Sequence, residues 1–149
     1  MTRSDPFSGC TLPAGEPNAA TLRRVLIDWI EQGTGVRVDY DFREKYSGLT
    51  LAFTAGAFRQ KGYILGGYHA KIQFALVCRT YPEDREKRIT ADEQLTMLAD
   101  WMTQNRPVFP APFRFRKIAQ ESAAQMIKRY ENGMEDHSIT LTLYFEVIE

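Results

Sequence analysis

The stretch that decides the fold is the last one, "NGMEDHSITLTLYFEVIE", residues 132–149. Asn132-Gly133 is a strong tight-turn signal. After it Ile139, Leu141, Leu143, Phe145 and Val147 alternate with Thr140, Thr142, Tyr144 and Glu146, the period of a strand with one buried face. A strand entering the turn from residues 124–131 would complete a C-terminal β-hairpin. That upstream segment reads two ways, since Ala123, Ile127 and Tyr130 suit a helix while Ala124, Met126, Lys128 and Tyr130 suit a strand. The Asn-Gly pair favours the strand.

Working outward, "FRFRKIA" (113–119) also alternates, with Phe113, Phe115 and Lys117 set against Arg114, Arg116 and Ile118. The prolines of "NRPVFPAP" (105–112) separate it from a helix that the "TADE" capping pattern starts at Thr90. Ala91, Leu95, Leu98 and Met102 form the apolar stripe of that helix, with Met97 and Trp101 widening it. Before it lies the charged connection "EDREKR" (83–88), read as a solvated surface. "HAKIQFALVCRTY" (69–81) is the clearest internal strand, placing Ile72, Phe74, Leu76 and Cys78 on one face and Lys71, Gln73 and Arg79 on the other. "GAFRQKGYILGGYHA" (56–70) is broken by glycines and reads as a loop or bent strand. "VRVDYDF" (36–42) and "GLTLAFTA" (48–55) alternate as two half-exposed strands. Leu22, Val25, Leu26, Trp29 and Ile30 recur at helical spacing, with Gly33 as the stop.

The expected architecture is a single α+β domain over residues 20–149. A mainly antiparallel or mixed β-sheet packs against two α-helices and ends in a C-terminal hairpin. Residues 1–19 hold three prolines and two glycines among small polar residues and read as a flexible arm. A chain of 149 residues can bury a core without staples. Its two cysteines make no disulfide framework, which points to a reducing compartment. The N-terminus has no apolar signal core, and no apolar run approaches the roughly 18 residues of a membrane span. Nineteen basic residues balance nineteen acidic ones, so no long-range field draws in nucleic acid.

Catalytic and cofactor motifs do not emerge. His69 and His137 lack a serine, cysteine or carboxylate at motif spacing and read as surface or strand-end residues. Cys78 is in phase with a buried face and reads as a structural thiol. "GGYHAK" lacks the phosphate-loop spacing and enters a strand rather than a helix. Trp29 and Trp101 read as core residues. The acidic pairs Glu83/Asp84 and Glu135/Asp136 fall in predicted turns, where solvation accounts for them. No metal and no cofactor is expected, and no catalytic residue. "FRFRK" could pair charge with stacking rings for nucleic acid, but strand alternation sends its phenylalanines to the core instead.

The succession of "TLRRVLIDWI", "KIQFALVCRTY", "ADEQLTMLADWM", and "KRYENG" followed by "HSITLTLYFEVIE" resembles the minor capsid and tail-terminator-like proteins of tailed bacteriophages and prophages. It spans most of residues 20–149 and rests on element order. The resemblance implies a virion structural protein, not an enzyme, present in the host cytoplasm during assembly. Such proteins form homohexameric rings that cap the tail tube, stop its polymerisation and support head–tail joining. The implied partners are further copies of itself, the tail-tube protein and head–tail connector proteins, with no membrane and no specific nucleic acid. A head–tail adaptor or other minor capsid component is the alternative in the same class. A small nucleic-acid or ligand binding module is the alternative outside it. Ring closure would use complementary charges, with Arg59, Lys61, Arg114 and Arg116 set against acidic residues such as Glu83, Asp84, Glu135 and Asp136 of a neighbour or the tail tube.

Overall fold

The terminal strand lies in the middle of the sheet. In the computed structural model, which describes residues 19–39, 48–53, 58–62, 67–81 and 85–148, eight elements follow one another. They are α1 (Ala19–Thr34), β1 (Gly48–Phe53), β2 (Phe58–Gly62), β3 (Tyr68–Thr80), α2 (Arg85–Gln104), β4 (Phe113–Gln120), β5 (Gln125–Arg129) and β6 (Glu135–Val147). β3 and β6, 13 residues each, pair antiparallel along their whole length, from Tyr68 opposite Val147 to Thr80 opposite Glu135. β1 and β2 lie end to end along the other side of β3, and β4 and β5 end to end along the other side of β6. Every pairing between these strands is antiparallel, which settles the choice left open between an antiparallel and a mixed sheet.

The period-two pattern explains the core. Ile139, Leu141, Leu143 and Phe145 are fully buried opposite Leu76, Phe74, Ile72 and Ala70, themselves fully buried. Each large aliphatic or aromatic side chain removed from water this way stabilises the fold by about 1.5–3 kcal/mol. The helices cover this face, α1 over β1 and α2 over β3, β6 and β4. Leu22, Leu26 and Ile30 of α1, and Leu95, Leu98 and Met102 of α2, supply the buried stripes. Trp29 and Trp101 meet between the helices with ring centroids 4.7 Å apart. As expected, residues 125–129 form a strand that enters the Asn132-Gly133 turn.

Several local expectations are corrected. α2 begins at Arg85, so Thr90 is inside the helix and its hydroxyl donates to the Glu86 carbonyl at 2.9 Å. Arg85 to Arg88 are good helix formers with no breaker among them, and they prolong the helix toward its N-terminus. Met97 does not widen the apolar stripe. It sits two residues from Leu95, on the far side of a 3.6-residue turn, and is 61% exposed. α1 stops at Gly35 rather than Gly33. Gly35 has φ +74° and its N–H bonds the Glu31 carbonyl at 2.9 Å, a left-handed helix cap. Gly33 serves a different purpose, because a Cβ there would lie 2.0 Å from the Trp101 ring. In β4 a bulge between Phe115 and Lys117 breaks the simple alternation. It returns Ile118 to the core beside Phe113 and Phe115, and turns Lys117 over the Tyr144 ring at 4.8 Å. Of the expected 36–42 strand, only Asp39 makes a bridge, parallel to Thr50, among the described residues. Of the expected arm over 1–19, Ala19 opens α1 instead, and residues 1–18 lie outside the described residues, as do 40–47, 54–57, 63–66 and 82–84, Glu83 and Asp84 among them.

Candidate functional site

The densest polar cluster stands where the hairpin turns. The Tyr130 N–H bonds the Met134 carbonyl at 2.8 Å, the Gly133 N–H bonds the Tyr130 carbonyl at 3.0 Å, and the Asn132 side-chain oxygen accepts from the Met134 N–H at 3.1 Å. Gly133 takes φ +93°, which a side chain would strain. This turn places Glu135, Asp136 and His137 as the first three residues of the central strand. Their alternation sends Glu135 and His137 under α2 and Asp136 to the opposite face of the sheet.

Under α2, the Glu135 carboxylate is 1% exposed and gathers three side chains. Arg88 Nε donates to it at 3.0 Å and Arg129 Nε at 2.9 Å, while His137 Nε2 lies at 3.0 Å. His137 Nδ1 faces Asp92 of α2 at 2.8 Å. Burial alone would raise the Glu135 pKa, but the hydrogen bonds from His137, Arg88 and Arg129 outweigh it and hold the group below its ordinary value. On the opposite face Arg79 grips Asp136 with Nε at 2.8 Å and Nη2 at 3.1 Å. Tyr130 donates to the same carboxylate at 2.8 Å and accepts from Arg79 Nη2 at 2.8 Å. Burial again pushes the Asp136 pKa up, and the bonds from Arg79 and Tyr130 prevail and lower it. Tyr130, whose proton bonds the Asp136 carboxylate, is held above its ordinary value by that bond.

Glu135 and Asp136 are therefore not solvated turn residues, and His137 is not a surface histidine. All three are buried. The loop is short and the strand central, so the acidic pair enters the sheet directly opposite Thr80 and Arg79. Two ion networks, one on each face, tie the hairpin to α2 and to β3. Both ring nitrogens of His137 and both carboxylates are engaged, so the cluster clamps the structure rather than presenting a free acid, base or nucleophile. A signal for part of it was in the sequence: Arg129 and Glu135 stand symmetrically about the turn, which makes them a cross-strand pair of opposite charge. Arg88 and Asp92, one helical turn apart, face the same strand.

The remaining candidates occupy other places. Cys78 is buried, and its thiol is pushed up by burial and by the Asp136 and Asp92 carboxylates. His69, near the start of β3, lies 3.7 Å from Glu146. Arg59 and Lys61 are on β2 and Arg114 and Arg116 on β4, opposite edges of the same end of the sheet, since Arg59, Ala70, Phe145 and Phe115 are successive partners across it. Glu135 and Asp136 lie at the other end. Arg114 and Arg116 form no ion pair among the described residues. The phenylalanines of this region pack inward, Phe113 against Phe145 and Phe109 against Phe115 at centroid separations of 6.0 and 5.9 Å. All five residues of β5 are exposed, with Met126 at 43% and Ile127 at 55%, and the outer side of β4 and β5 pairs with no strand among the described residues. No group of three or more His, Cys, Asp or Glu residues suited to a metal ion occurs among the described residues.

The site and fold together define an α+β domain with two helices on one face of an antiparallel sheet and an ion-clamped C-terminal hairpin. Compared with models of known protein families and with curated proteins, the chain finds no match in either.

Proposed function

We propose that this protein is a structural component of a tailed phage or prophage virion. In this role it is a tail terminator or tail-completion protein that caps the tail tube as an oligomeric ring and supports head–tail joining. Its function is assembly rather than catalysis, and its partners are other copies of itself, the tail-tube protein and connector proteins. It passes through the host cytoplasm before it joins the virion. The observation that carries this is the division of labour among the side chains. The buried titratable residues clamp the hairpin, whereas the exposed apolar side chains Ile89, Met97, Val108, Met126 and Ile127 lie on a helix face, a loop and a sheet edge. Exposed apolar groups on a rigid body are what an assembly subunit presents to neighbours. The order of helix, three strands, helix and three strands, which carries the resemblance to tail terminators, supports the same role.

The test is solution mass by light scattering, with negative-stain imaging of the same sample alone and mixed with polymerising tail-tube protein. Rings of six, or tubes of arrested length with density at one end, are the expected result. A stable dimer that neither caps nor shortens tubes would overturn the proposal. Salt-dependent binding to DNA would point instead to a nucleic-acid module.

A further inference from the structure

The outer surface of the described residues separates its charges. On α2, the side turned away from the sheet carries Ile89, Glu93, Thr96, Met97 and Asp100 around a shallow depression, with Asp92 at its margin. Ile89 is 40% and Met97 61% exposed, and the basic residues of α2 all precede this stretch. The segment that follows is the reverse. From Trp101 to Gln120 there are four basic residues and no acidic one. Arg106, Val108, Phe113, Arg114 and Phe115 line an open groove there. Val108 is 90% exposed, and Arg106 is held in place over the Phe115 ring at 5.3 Å. Glu146, opposite Arg114 in the register, faces His69 instead.

Glu93, Asp100, Arg106 and Arg114 form no ion pairs with one another or with other described residues. Each surface thus has an exposed apolar centre and charge of one sign at its rim, the pattern of a polar-rimmed interface. The two signs are complementary. The acidic partner expected at Glu135 and Asp136 is already engaged inside the hairpin, and the α2 face takes its place.

We propose that copies of this chain join head to tail, the α2 face of one copy (Ile89, Glu93, Met97, Asp100) seated on the basic groove of the next (Arg106, Val108, Arg114). This rests on the ring-forming role proposed above and assigns its two contact surfaces. Because the surfaces differ, the contact is heterologous and repeats from copy to copy until rotation closes it.

Charge reversal on the full-length chain tests the assignment. One variant carries Glu93→Lys and Asp100→Lys, the other Arg106→Glu and Arg114→Glu. All four residues are exposed, and a circular dichroism melt checks that each variant folds. Each alone should assemble at least tenfold more weakly than the parent chain by light scattering. Mixed one to one they should recover the parent oligomer with the two variants alternating, and one chain carrying all four changes should recover it unaided. Assembly should also weaken as salt is raised, because the Debye length shrinks from about 10 Å at 0.1 M to about 3 Å at 1 M. Parent-like assembly by either variant alone, or a mixture that stays monomeric, overturns the surface assignment. If rings persist in both variants, the ring-forming role stands and only these surfaces fall. If the parent chain forms no ring alone or on tube ends, both fall.

Discussion

Glu135→Gln removes one charge from the hairpin clamp while keeping its shape. The carboxylate has one oxygen toward His137 and the other toward Arg88 and Arg129. An amide can offer its oxygen to the arginines and its NH2 to the histidine ring, so the main loss is charge assistance. The arginines stay charged, so each bond keeps one ionised partner, but replacing the carboxylate by a neutral oxygen should weaken each by about 1 kcal/mol out of the roughly 1.5–3 kcal/mol that hydrogen bonds to charged groups contribute. Arg88 and Arg129 are 44% and 56% exposed, so solvent screens part of that difference. The expected cost at neutral pH is therefore about 1–2 kcal/mol, or a melting temperature lower by roughly 2–8 °C for a chain of this size. Urea unfolding followed by the fluorescence of Trp29 and Trp101 would measure it. The pH dependence gives a second check. The folded-state pKa of Glu135 is depressed below its ordinary value of 4.5. Its contribution is therefore complete above the unfolded value and lost as pH falls through the folded one. The deficit of Glu135→Gln should shrink on acidification below the ordinary carboxylate value of 4.5, as the folded-state group takes up its proton. A neutral-pH deficit below about 0.5 kcal/mol, the scatter of ordinary surface substitutions, or one that acid leaves unchanged, would refute the clamp.

Asp136→Asn and Tyr130→Phe should each destabilise the fold by about 1–3 kcal/mol, since each leaves a partner of the Arg79 network short of a bond. Their double mutant should cost clearly less than the sum, and strict additivity in a thermodynamic cycle would count against the network. Gly33→Ala should lower stability by about 1–3 kcal/mol through the clash with Trp101, although alanine is the better helix former by about 1. Restoration by Trp101→Leu in the same chain would identify the ring as the cause, and an unchanged melting midpoint in Gly33→Ala would rule the clash out. In a Cys10→Ser background, the Cys78 thiol should react with a thiol reagent only as fast as the chain unfolds. Rapid labelling in native buffer would show that the thiol is accessible.

Local pattern decided much of this protein. The period-two run from Ile139 to Val147, the alternation through Ile72 to Cys78 and the helical stripes of α1 and α2 each carry their own burial pattern. An α+β fold with a C-terminal hairpin follows from them. The Asn132-Gly133 pair resolved the ambiguous 124–131 segment, because a turn chemistry that strong requires a strand on each side. What the sequence left open were relations between segments far apart in the chain. Gly33 looked like a helix stop until Trp101 occupied the space above it. Glu135 and Asp136 looked like turn residues, since a charge is assigned to solvent unless its partner is known. Their partners Arg79 and Arg88 lie more than forty residues away. The same holds for the strand that closes the chain. Its period and its hairpin were determined by its own residues, whereas its central position was decided by β3, which pairs with it over all thirteen residues. Side-chain alternation specifies which face of a strand is buried, but only long-range pairing in the folded chain specifies which edge is covered.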